Sequence, residues 1–357
     1  MCKIMEIKNI LVIRFRRVGD SVLSMGLCHT LRKSFPGAEI DLVINKGIDS
    51  LYRNHPDVDN VIVFDKEECD NLFKYVKKAR ETVKTKRYDV IIDMRSTVKS
   101  SIFTLFSLHT RYRIGRKKWY SGLLLTHAVD NRLPGSRPEQ NLLLVKPLEE
   151  VGEISYSTDF RLYVSDDEVA SMCARMEKQG IDFSRPVLIS AVATRVKGKA
   201  WPFEWMTTVL KNVISEFPQV QIIFNYSNKA EKETALAHYN ALDKDCHIFM
   251  DIHADSLIEL CALLSNSSMF FGNEGGPRHM AQALGVPAYA IFPPGIKKET
   301  WLHNENDYNT GISPDDFVPF EQQQEMEYNE RMEIMTVERV WKGLSAFLDR
   351  IIGSDTF

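Results

Sequence analysis

Three short segments concentrate residues able to do chemistry, and each lies between an apolar run and a helix-like stretch. The first, Arg14-Phe15-Arg16-Arg17-Val18-Gly19-Asp20-Ser21, sets three arginines, a glycine and an acid at one turn. Asp20 or Ser21 there either caps the helix, with Gly19 making the turn, or Asp20 is a carboxylate placed to take a proton from a hydroxyl nucleophile. The second segment runs from Ala193 to Pro202 and holds the Thr194 hydroxyl and three cations, among them Arg195 and Lys199. It reads as a solvated loop or as a clamp for a phosphate or diphosphate. In the third, Gly272 to His279, the pair Gly275-Gly276 permits close backbone approach, and Pro277 suits the first helical position. The helix amides would then face an anion, Glu274 would accept from ribose or sugar hydroxyls, and His279 would reach a phosphate. The plain alternative is a tight turn between strand and helix.

Other chemistries are excluded or set aside. There is no G-x-G-x-x-G loop, no G-x-x-x-x-G-K-[ST] loop and no G-x-S-x-G elbow. The nine histidines are dispersed without metal-ligand spacing, so no metal site is expected. Asp57-Val58-Asp59 spells D-x-D after His55-Pro56, where a turn entering a strand accounts for it. Six scattered cysteines without C-x-x-C read as small buried hydrophobes in a reducing compartment. The basic run Arg111 to Tyr120 is a solvated face, or it touches an acidic acceptor or an anionic membrane surface.

The elements that must position these loops alternate in type. Apolar runs at 9–15, 38–44, 58–65 and 88–94 read as strands separated by helical stretches, the first helix spanning about Asp20 to Phe35. A second series gives strands in PVLISAV, VQIIFNY, SMFFGN and a last one in VPAYAIFP. This is the pattern of α/β domains with parallel sheets, in which ligands bind beyond the carboxyl ends of strands. The 357 residues suit two domains at roughly 150 residues each. The boundaries expected are 1–165, 166–335 and an amphipathic terminal helix in 336–357. With 44% hydrophobic and 26% charged residues the chain can build two cores, and its net charge of −3 argues against a nucleic-acid partner. No stretch has a secretory signal's form or the length of a membrane span, so a cytoplasmic protein is expected.

Three stretches taken together resemble one enzyme family. These are ILVIRFRRVGDSVLSMGLCHTLRKSFPGAEIDLVI, TRVKGKAWPFEW and LIELCALLSNSSMFFGNEGGPRHMAQALGVPAYAIFPP. The chain is similar to glycosyltransferase family 9, the heptosyltransferases of the lipopolysaccharide core. The resemblance implies a GT-B fold: two Rossmann-like domains facing across a cleft, with the C-terminal helix crossing back onto the first domain. It implies inverting transfer from a nucleoside-diphosphate sugar, typically ADP-heptose, to an acceptor hydroxyl of an envelope glycolipid. No cofactor is obligatory, Mg²⁺ being at most stimulatory. Asp20 is then the general base, and Lys199 faces the donor diphosphate, assisted by Thr194 and Arg195. The loop Glu274-Gly275-Gly276-Pro277, with His279, holds the donor. Arg16, Arg17, Arg95 and Arg113 are the acceptor-side cations. Where the family usually has Asp-Thr-Gly-Pro, this chain has Glu274-Gly275-Gly276-Pro277. An epimerase-like or hydrolase-like enzyme, or a non-catalytic binder on the same scaffold, is the alternative.

Overall fold

Short apolar runs without alternation become strands buried on both faces, because helices cover both sides of a parallel sheet. A computed structural model of the chain describes residues 6–131, 133–195 and 198–353. The chain divides into two compact units, residues 1–163 and 164–357.

The first unit is built on β1 (Asn9–Ile13), β2 (Glu39–Asn45), β3 (Asn60–Phe64), β4 (Val90–Asp93), β5 (Tyr112–Arg116) and β6 (His127–Val129). They form one sheet in the order β3-β2-β1-β4-β5-β6 with every pair parallel. This is the doubly wound order, whose direction reverses between β1 and β4 and opens a crevice at their carboxyl ends. Register fixes what leaves the sheet there. Ile13 pairs with Asp93, and Asp93 pairs with Gly115, so the chain continues from one level into Arg14, Arg95 and Arg116. Phe15, Phe64, Tyr75 and Phe103 pack under this edge with ring centroids 5.3 to 6.3 Å apart.

The second unit repeats the plan with β7 (Val187–Ala191), β8 (Gln221–Phe224), β9 (Ile248–Phe249), β10 (Met269–Asn273), β11 (Ala288–Ile291) and β12 (Asn309–Ile312). The order is β12-β11-β10-β7-β8-β9, all parallel, and the switch lies between β7 and β10. At that seam Gly272 has φ of +151°, and a Cβ there would lie 2.5 Å from the Ala191 carbonyl oxygen, so only glycine lets the strands meet.

Several expectations need correction. The stretch after β1 is two helices, Val18–Val22 and Met25–Ser34, rather than one. VPAYAIFP is not the last strand, because β12 follows it. The terminal helix Val337–Gly353 buries Val340, Leu344, Phe347, Leu348 and Ile351 in the core of the second unit. Gly343 explains its close seat, since a side chain there would overlap the Tyr289 hydroxyl on β11. Burial pushes the thiols of Cys28 and Cys261 up to about 12, whereas Cys246 is exposed. Asp57 and Asp59 hold His29 at 3.0 Å and Arg32 at 2.5 Å, so the D-x-D is structural.

Candidate active site

In the first unit the chain must turn sharply after β1 to start a helix within five residues. It does so with Arg16 at φ +66° and Arg17 at φ +54°, a left-handed pair that costs of the order of 1–3 kcal/mol per residue. The Arg16 amide donates to Asn45 Oδ1 at 2.6 Å on the neighbouring strand's end, which helps hold the turn. The turn delivers Asp20 into the first turn of the Val18–Val22 helix. Its Oδ1 receives the Arg14 guanidinium at 2.8 Å, and Arg14 Nε also donates to the Asp20 carbonyl at 3.3 Å. Arg14 is buried, whereas the Asp20 carboxylate is 17% exposed. Among the described residues no hydrogen bond is made to Asp20 Oδ2.

Burial lowers the pKa of Arg14, the Asp20 charge opposes that, and Arg95 and Arg137 lower it further. Burial likewise brings Arg116 down to about 10, with Arg14 and Arg137 adding repulsion. Four arginines therefore share the field of one acid, a local excess of positive charge in low dielectric. Arg95 belongs to this cluster. Arg16 and Arg17 stand at its margin with exposed side chains. Arg113 is not brought there: near the amino end of β5 its guanidinium donates to the carbonyls of Leu108, Thr110 and Leu124 at 2.9, 2.5 and 2.8 Å. Arg14, Arg116 and Arg137 were missed as site residues. Arg116 closes a strand that the basic run conceals, and only strand order brings it near Arg14. Asp93 shapes the β4 exit by accepting the amides of Arg95 and Ser96 at 2.9 and 2.8 Å.

In the second unit Asn273, at the end of β10, ties the two loops together. Its Nδ2 donates to the carbonyls of Ala191 and Val192 at 3.1 Å, and its Oδ1 receives the Trp201 amide at 2.8 Å. Trp201 is buried and donates its indole N–H to the Met335 carbonyl at 2.9 Å. These bonds fix both ends of the loop carrying Thr194, Arg195 and Lys199. Gly198 turns within it at φ +84°; Val196 and Lys197 lie outside the described residues.

Gly275 is extended and leads into the helix Gly276–Ala283, with Pro277 at its second position rather than its first. The first-turn amides of that helix have no intrahelical acceptor. Burial by itself would raise the Glu274 pKa, but the hydrogen bond from His279 and the charges of Arg278 and Lys199 hold it below the usual range. Lys199 therefore acts electrostatically on Glu274. The His279 ring, expected to reach a phosphate, is 2% exposed; its Nδ1 lies 2.6 Å from Arg278 Nη2, and its Nε2 lies 3.1 Å from Glu274 Oε1. Since guanidinium only donates, Nδ1 accepts and Nε2–H donates to the carboxylate. Arg278, fully buried and brought down to about 10 by burial, also donates to the Trp301 carbonyl at 2.6 Å. The extra methylene of Glu274 lets the acid meet this pair.

The family model for glycosyltransferase family 9 (heptosyltransferase) matches residues 76–328. The chain belongs to glycosyltransferase family 9. It is a glycosyltransferase, and the match includes the Thr194–Lys199 and Glu274–His279 loops, whereas Asp20 lies before it. Lipopolysaccharide heptosyltransferase 1 of Campylobacter coli is 22% identical over 80% of this chain and 83% of the relative. Lipopolysaccharide core heptosyltransferase OpsX of Haemophilus influenzae is 23% identical over 80% and 79%. Among solved structures, a family 9 glycosyl transferase from Veillonella parvula superposes with a TM-score of 0.80 at 17% identity, covering 98% of this chain and 99% of that one. Escherichia coli ADP-heptose lps heptosyltransferase II gives 0.72 at 21% identity, covering 96% and 99%. These neighbours share the GT-B fold, with its two doubly wound units. No helix among the described residues is long and apolar enough to cross a membrane.

Proposed function

We propose that this glycosyltransferase moves heptose from ADP-heptose, with inversion, to a hydroxyl of a lipopolysaccharide-core acceptor. The observation that carries the reading is Asp20: one carboxylate oxygen is held by Arg14, and the carboxylate is partly exposed at the carboxyl edge of the sheet. In the reaction the acceptor oxygen attacks the anomeric carbon, its proton passes to Asp20, and the bond to ADP breaks with its electron pair leaving on the diphosphate. Such a displacement needs one base and a stabilised leaving group. Lys199, Arg195 and the amino end of the Gly276–Ala283 helix supply positive charge, and the Thr194 hydroxyl a hydrogen bond, where the diphosphate develops negative charge. In this scheme Mg²⁺ is at most stimulatory. Glu274, set by His279 and Arg278, accepts from donor hydroxyls. The cluster of Arg14, Arg95, Arg116 and Arg137 receives an anionic acceptor, with Arg16 and Arg17 beside it. Such an acceptor is lipid-borne and is met from the cytoplasm.

The test uses Asp20→Asn. Transfer from ADP-heptose to a lipopolysaccharide-core saccharide should fall at least 100-fold, while the ADP-induced rise in melting temperature persists. Undiminished transfer would remove Asp20 as base. Stabilisation by UDP or GDP but not ADP would redirect the donor. Consumption of ADP-heptose without acceptor would favour an epimerase-like or hydrolase-like enzyme.

A further inference from the structure

No acid occurs between Asp93 and Asp130, and the intervening 36 residues carry seven Lys and Arg. The same stretch exposes Trp119 by 94%, Leu123 by 85% and Val98 by 73%. A tryptophan so exposed is unusual on a soluble surface, where aromatic rings normally keep most of their area from water. Its neighbours Lys117 and Lys118 are also exposed. Hydrogen bonds join these residues into one rim of the first unit. Tyr120, edge-on to Trp119 with centroids 5.2 Å apart, donates its hydroxyl to the Ser96 carbonyl at 2.7 Å. The Arg116 amide donates to Ser96 Oγ at 2.7 Å, so the β5 exit loop is fastened to the β4 exit loop that bears Val98. The rim continues through Lys99, which donates to the Cys69 carbonyl, toward Phe73, exposed by 78%. Nearby Glu67 and Glu68 are paired with Lys74 and Lys78.

An indole and two aliphatic side chains beside exposed lysines, with no acid in the stretch, are the composition of a surface that sits at a lipid headgroup boundary. We propose that this rim docks on an anionic bilayer, with Trp119 and Leu123 entering the boundary and Lys117 and Lys118 against acidic headgroups. The inference rests on the proposed lipid-borne acceptor for its purpose, but its test requires no sugar transfer.

The full chain is floated with vesicles of phosphatidylcholine alone and of phosphatidylcholine with phosphatidylglycerol. Binding is expected only to the second, weakened by salt, with a blue shift of tryptophan emission as Trp119 leaves water. Trp119→Ser/Leu123→Ser and Lys117→Glu/Lys118→Glu should each cut bound protein about tenfold, while the melting temperature stays unchanged. No binding to phosphatidylglycerol vesicles, or binding by both double variants undiminished from that of the parent, would overturn the proposal. So would a dimer in sedimentation velocity that Trp119→Ser/Leu123→Ser dissolves, since the rim would then belong to a second copy. A chain that floats as expected but transfers no heptose would keep the surface and refute the catalytic reading.

Discussion

At the scale of single residues, burial decides which charges can be kept and how. Asp20 and Glu274 each sit against a buried arginine system, Asp20 bonded directly to Arg14 and Glu274 reached by way of His279, and neither acid is replaceable by a neutral side chain without leaving a desolvated cation. His238 shows the opposite solution. It is buried, receives or donates one hydrogen bond at 2.8 Å with Thr207 Oγ1, and stacks on Phe203 with centroids 4.1 Å apart. Burial lowers its pKa from 6.5 to about 4, so the native state keeps it neutral where the unfolded chain would protonate it. Its stabilisation is therefore full above about pH 6.5 and is lost as pH falls toward 4. Between pH 7 and pH 5 this one group should remove about 2 kcal/mol. Urea unfolding of His238→Gln at the two pH values should show a correspondingly smaller loss than the parent; an equal loss would mean that His238 is protonated in the folded chain.

At the scale of elements, the donor-side loops depend on how closely β10 approaches β7. Gly272 allows the approach and Asn273 uses it, bonding two carbonyls and one amide of the neighbouring exit loop. Asn273→Asp keeps the shape but turns a donor toward two carbonyls into an acceptor. It should cost more stability than Asn273→Ala, by roughly 1–3 kcal/mol, and both should weaken ADP binding measured by titration calorimetry. Equal stability of the two variants would mean that the Nδ2 bonds contribute nothing. The same element scale explains what could be read from the residues alone. β1, β2, β7 and β10 are internal strands, so NILVI, EIDLVIN, VLISA and MFFGN are almost continuously apolar and their exit loops, with Asp20, Lys199 and Glu274, stand out. β12, with the sequence NTGI, β6, with HAV, and the two-residue β9 are short sheet edges with no such run. β5, YRIGR, hides behind its arginines. The arginine cluster was illegible for that reason: Arg14, Arg95, Arg116 and Arg137 come from four separate segments of the chain, Arg116 ending β5 and Arg137 opening a helix, and only the strand order converges them.

At the scale of the whole molecule, two independent cores make the chain's own tryptophans a selective probe. Of five tryptophans, Trp201, Trp205, Trp301 and Trp341 lie in the second unit, and Trp119 in the first is already 94% exposed. Unfolding the first unit moves Trp119 from water to water, so a fluorescence-detected melt reports the second unit. That unit holds the Lys199 and Glu274 loops, and Trp301 lies 6.0 Å from His279 between ring centroids. ADP at about 100 times its dissociation constant should stabilise it by roughly 2.7 kcal/mol, which for a unit of this size corresponds to a rise of several degrees. Phe347→Ala removes a buried ring from the terminal helix in the same core and should lower that transition by the equivalent of about 3–5 kcal/mol. If the terminal helix instead belonged energetically to the first unit, Phe347→Ala would leave the fluorescence transition in place and shift only the far-ultraviolet circular dichroism signal. The two measurements on one variant therefore assign the helix by energy as the buried side chains assign it by contact.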